Sequence, residues 1–157
     1  MATRVVSPAS PVSVQAQSAR FVEAGAGTYT ATFHLPPNAV LLDVIATAEA
    51  LWDAATSASL IVGNAGDPDG YIAATDLKAT DLTAGQSISI GGGTDTGGGK
   101  AGADAIAGSN THVVDRFYSA SADYDITATI TSVGAGTAGR TRVDVLYIVD
   151  NPTTVGL

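Results

Sequence analysis

The run DYDITATITSVGAGTAGRTRVDVLYIVD, residues 123–150, decides the fold class. Its first third alternates, with Tyr124, Ile126, Ala128 and Ile130 on one side and Asp125, Thr127, Thr129 and Thr131 on the other. A period of two is the mark of a half-buried strand. GAGTAG (134–139) reads as the turn that follows. In the last third Val143, Val145, Tyr147 and Val149 share a face, while Leu146 and Ile148 fall on the other. A strand that is apolar on both faces is expected to be covered twice, by a second layer or by a partner chain.

The same period recurs upstream. GTYTATFHL (27–35) places Tyr29, Ala31, Phe33 and Leu35 opposite Thr28, Thr30, Thr32 and His34. AVLLDVIATA (39–48) is apolar on nearly both faces and fits a central strand. SASLIVG (57–63) reads as a strand paired with its predecessor, and YIAAT (71–75), QSISI (86–90) and THVVDRFYS (111–119) as further strands. AEALWDAATS (48–57) has the composition of a helical turn but is too short to stand alone. The sum is an all-β domain of about eight strands, of β-sandwich or jelly-roll type.

Two segments stand apart. Residues 1–19, with Pro8 and Pro11, read as an extended N-terminal arm, leaving 20–157 as the sandwich domain. The arm's valines, Val5, Val6, Val12 and Val14, are candidate contacts with a neighbouring subunit. Residues 91–110 hold eight glycines and read as a long loop.

Bulk composition narrows the function. The chain has 157 residues and a net charge of −8. Phosphate backbones and anionic lipid surfaces repel such a protein, so neither nucleic acid nor membrane is an expected partner. The chain has no cysteine, hence no disulfide framework and no thiolate metal site. The first twenty residues lack the hydrophobic run of a signal peptide. Charged residues make up 14%, against about a quarter in ordinary domains. Small residues dominate, which suits flat, closely packed β surfaces.

No catalytic set stands out. GNAGDPDGY (63–71) offers Asp67, Asp69 and Asn64 as weak calcium ligands, but a calcium ion wants about six to eight oxygens. Asp-Pro-Asp-Gly is the composition of a turn between strands, the preferred reading. GGGK (97–100) lacks phosphate-loop spacing, because Thr94 and Ala101 occupy the diagnostic positions. His34 and His112 need carboxylates to complete a metal site. Glu23 and Glu49 form a glycosidase pair only if the fold brings them together. There is no serine elbow. Trp52 either plugs the sandwich or offers a ring on which a sugar stacks. No cofactor and no enzyme activity are expected. Arg116 and Arg142, beside Asp115 and Asp144, are candidate interface residues because the planar guanidinium is favoured at subunit contacts. Leu146 and Ile148 join them.

The run LPPNAVLLDVIATAEALWDAATSASLIVGNAGDPDGYIAATDLKATDLTAG (35–85) resembles small structural proteins of tailed bacteriophages. ITATITSVGAGTAGRTRVDVLYI (126–148) is similar to their closing β-hairpin. The resemblance is to capsid decoration, or cement, proteins. It implies a β-sandwich on the outer head surface of the virion, commonly a trimer, bound to the major capsid protein. The acidic surface fits a place away from packaged DNA. The competing readings are a carbohydrate- or receptor-binding module of a head fibre or tail, with a groove lined by Trp52 and tyrosines, and a tail-tube or connector component.

Overall fold

The computed structural model describes residues 13–90, 101–105, 112–114 and 124–149. Eight strands build two antiparallel four-stranded sheets: β1 (Val14–Val22), β2 (Gly27–Leu35), β3 (Ala39–Ala50), β4 (Ser57–Asn64), β5 (Asp67–Asp76), β6 (Ser87–Ser89), β9 (Tyr124–Val133) and β10 (Arg140–Val149). Between them β7 (Ala101–Ala105) and β8 (His112–Val114) pair as a separate ribbon. One sheet has the order β1-β10-β3-β6 and the other β2-β9-β4-β5. The protein is an all-β sandwich, and among the described residues there is no helix.

The alternation read from the sequence positions the core. Phe33 and Leu35 of β2, Ile126, Ala128 and Ile130 of β9, and Leu60 and Val62 of β4 are buried from one sheet. Phe21 of β1, Leu41, Val44, Ala46 and Ala48 of β3, and Val143, Val145 and Tyr147 of β10 are buried from the other. These residues form a single cluster. The repeated Thr-Asp-Leu of residues 75–82 serves the same core. Leu77 and Leu82 are buried, while Asp76 and Asp81 turn the chain by accepting from the main-chain N–H of Lys78 (2.5 Å) and Asp76 (2.6 Å).

Five expectations are corrected. First, residues 134–139 do not close a hairpin. β9 pairs with β2 and β4, whereas β10 pairs with β1 and β3, so the turn carries the chain from one sheet to the other. Second, β4 does not pair with β3; it lies between β5 and β9 in the opposite sheet. Local alternation specifies a face but not a partner. Third, residues 48–57 form no helical turn. β3 continues to Ala50, and the chain then drops Trp52 and Ala54 into the core. Fourth, strand β1 begins at Val14, so residues 14–19 belong to the sheet, paired residue by residue with β10. Their small and polar side chains read as part of an extended arm because this strand's outer face meets solvent. Fifth, β7 lies inside the segment read as a glycine-rich loop; residues 91–100 and 106–110 lie outside the described residues, as do 115–119 of the strand expected at 111–119.

The turn between β4 and β5 also sits earlier than Asp-Pro-Asp-Gly. It is Ala65–Gly66, held by the Asn64 side chain, whose Oδ1 accepts from the N–H of Gly66 and Asp67, both at 2.9 Å. Pro68 and Asp69 fall within β5, where the register to β4 breaks. Proline has no N–H for a ladder and is tolerated at such a bulge. Gly63 faces that bulge so closely that a Cβ would lie 2.1 Å from the Asp67 carbonyl oxygen.

Candidate assembly surfaces

The outer face of the β1-β10-β3-β6 sheet gathers several residues singled out in the sequence. The register aligns them in rows. Val14, Ile148 and Val40 form one row across β1, β10 and β3, followed by Ala16, Leu146 and Asp43, then Ser18, Asp144 and Ile45. Leu146, Ile148, Val40 and Ile45 are half-buried, and Val14 is 59% exposed. The result is an apolar strip at one end of the sheet. Leu146 and Ile148 therefore occupy a face outside the chain's own core, as their position on β10 requires.

Charged residues border this strip. Arg20 and Arg142 lie opposite each other in the register. Each has its own carboxylate: Arg20 donates to Glu49 at 2.8 Å and Arg142 to Asp144 at 2.8 Å. Ser18 also donates its hydroxyl to Asp144. Glu49 is thus occupied by Arg20 and is no partner for Glu23. Apolar residues beside arginines on one face are a composition that protein–protein interfaces favour. Val5, Val6, Val12 and Arg116 lie outside the described residues.

The opposite sheet presents a different surface. Thr28, Thr30 and Thr32 of β2 stand against Thr131, Thr129 and Thr127 of β9, and His34 meets Asp125 at 2.6 Å. A shallow cleft of about 320 Å³ lies over this face, lined by Thr32, Thr127, Thr129, Asp125, Asn64 and Pro68, with Ala65 at its rim. Its lining mixes threonine, asparagine and aspartate side chains with Ala65 and Pro68 and includes no aromatic ring. Asn64 takes part in the β4–β5 turn and donates its amide to Tyr124. Among the described residues, no three histidine or carboxylate side chains converge as a metal site.

Trp52 offers no ring to a ligand. It is 2% exposed, its Nε1 donates to Thr141 Oγ1 at 2.9 Å, and Tyr29 packs edge-on at 5.3 Å between ring centres. Sugar stacking is excluded by this burial, and the ring plugs the sandwich.

Glu23 and Asp53 form a carboxylate clasp that sequence reading missed. Glu23 is 3% exposed and accepts from the N–H of Gly139 (2.9 Å) and Asp53 (3.1 Å). Asp53 accepts from the N–H of Thr137 (2.7 Å) and Ala138 (3.1 Å). Those main-chain donors hold the Asp53 carboxyl below its usual pKa. The clasp ties the β9–β10 connection to the loop after β3. Its only sequence signal was a glutamate in an apolar context, FVEAGAG.

No protein-family model matches the chain, and no curated protein is similar by sequence. Among solved structures, the chain is similar to one described as "Cyanophage Pam1 capsid asymmetric unit". The likeness covers 94% of each chain, with a TM-score of 0.56 at 20% identity. It is a likeness of fold, extending over nearly the whole length of both chains.

Proposed function

We propose that this chain is a non-enzymatic structural protein of a bacteriophage virion, a decoration or cement protein that binds the outer head surface and bridges capsomers. The observation that carries the reading is the likeness to a phage capsid chain across 94% of both lengths. The apolar strip of Val14, Val40, Ile45, Leu146 and Ile148 supports it by supplying a contact face with a polar rim. The expected partner is the major capsid protein. Val5, Val6, Val12 and Arg116 belong to the same proposal, as contacts with a neighbouring subunit. The mechanism is mechanical: contacts repeated over many lattice sites resist separation of neighbouring capsomers under internal DNA pressure. The net charge of −8 keeps the protein from packaged DNA. Self-association is part of the proposal, with a trimer the form implied by the resemblance.

The test is cosedimentation with empty, expanded capsids of the phage that encodes the chain. Saturable binding in a fixed ratio to the major capsid protein is the expected result. No binding would overturn the reading and bring tail or receptor-binding roles forward.

A further inference from the structure

The cleft over the β2-β9-β4-β5 sheet is shaped by one glycine and one bulge. Gly63 stands opposite Thr127 in the register of β4 with β9. Having no side chain, it lets the bulged start of β5 fold against it. A Cβ at Gly63 would lie 2.3 Å from the Pro68 carbonyl carbon. The strand order then sets the walls. Thr127 and Thr129 of β9 lie between Thr32 of β2 on one side and Ala65 and Pro68 of the β4–β5 connection on the other. Asp125 is the next residue of β9 on the same face. Bulges that reshape a sheet beside a site are a recurrent device.

The lining has hydrogen-bonding capacity that the fold does not use. Among the described residues, the hydroxyls of Thr32, Thr127 and Thr129 have no hydrogen-bond partner. Each can donate once and accept twice. Asp125 engages His34 through Oδ1, and its Oδ2 has no partner among the described residues. Asn64 is different: its side chain is taken up by the turn and by Tyr124, so it acts as wall. Three hydroxyls and a carboxylate oxygen on one concave face match a ligand that itself bears several hydroxyls. No lysine or arginine lines the cleft. Asp125 lies in it and Asp67 and Asp69 flank Pro68, so an anionic ligand is repelled. The volume of about 320 Å³ lies at the small end of ligand sites.

We propose that this cleft is a binding site for an uncharged sugar ring of a glycan. The hydroxyls of Thr127 and Thr129 and the free oxygen of Asp125 take the ring's hydroxyls, and the Pro68 ring meets its C–H groups. This goes beyond the proposed virion role and does not rest on it. The cleft lies on the sheet opposite the apolar strip, so a partner seated on the strip leaves it open. With no aromatic ring to stack on, one site binds weakly. Copies repeated on a particle would add by avidity.

The test is an NMR titration of the full chain with maltotriose, mannotriose and chitotriose, and with trigalacturonate as the anionic counterpart. At least one neutral trisaccharide should shift the amides of Thr32, Thr127 and Thr129 saturably, with a Kd on the order of 1 mM. Trigalacturonate should bind at least about tenfold more weakly. Thr127→Val with Thr129→Val keeps the side-chain shape and suits a strand, so the fold survives. Loss of the two hydroxyls should weaken binding about tenfold. Asp125→Ala is the second variant and should weaken it by a similar factor. Thr28→Val, on the same face but outside the cleft, should leave it unchanged. Circular dichroism checks that each variant is folded. The proposal is overturned if no neutral trisaccharide shifts these amides saturably, or if the double valine variant and Asp125→Ala both bind as tightly as wild type. It is equally overturned if trigalacturonate binds as well as the neutral sugars. Capsids play no part in this titration, so its failure leaves the proposed function standing.

Discussion

Gly139 lies against the face of Trp52: a Cβ there would fall 2.5 Å from the indole Cγ. Gly139→Ala must displace a ring held by Thr141 and Tyr29. The expected cost is about 1–3 kcal/mol, the range for overpacked cores, read as a lower urea midpoint. Trp52 is the sole tryptophan, so its fluorescence reports the same transition. Asp53 gives a second test at this scale. Its carboxyl is held below the usual value by the N–H groups of Ala138 and Thr137. A group with a depressed folded pKa stabilises above its unfolded value, near ~3.9, and that contribution is lost as pH falls through the folded value. Wild-type stability should therefore decline with acidification below about pH 5 more steeply than that of Asp53→Asn. Parallel pH profiles would contradict the assignment. Neither Gly139 nor Asp53 could be singled out from the sequence, because what each touches is set by loops distant along the chain.

Strand identity follows from alternation, and here the residues themselves were informative. Tyr29 to Leu35 and Ile126 to Ile130 face inward as their spacing predicts. Strand partners were not legible. SASLIVG follows β3 closely yet joins the other sheet, and the glycine-rich turn at 134–139 links sheets instead of closing a hairpin. Periodicity carries no information about which ladder a strand enters. The apolar outer positions of β10 were legible, since Leu146 and Ile148 break the polar half of the alternation. They yield the prediction at this scale. Both are half-buried in the chain alone. Leu146→Ser with Ile148→Ser should each cost under about 1.5 kcal/mol in unfolding, because little apolar area leaves the core. Capsid binding by the double variant should fall at least about tenfold. Unchanged binding would move the contact to another face.

At the scale of the molecule, a sandwich of small-residue sheets with net charge −8 suits repeated lateral contact and poorly suits an anionic partner. In the proposed cement role, its effect on a particle would be a matter of load. The most direct measurement is a heating challenge of capsids emptied of this protein, with and without it added back, following DNA release or shell rupture. A saturable rise in the rupture temperature, reduced by Leu146→Ser with Ile148→Ser, is the predicted result. Particles that rupture at the same temperature with and without the protein would contradict the account.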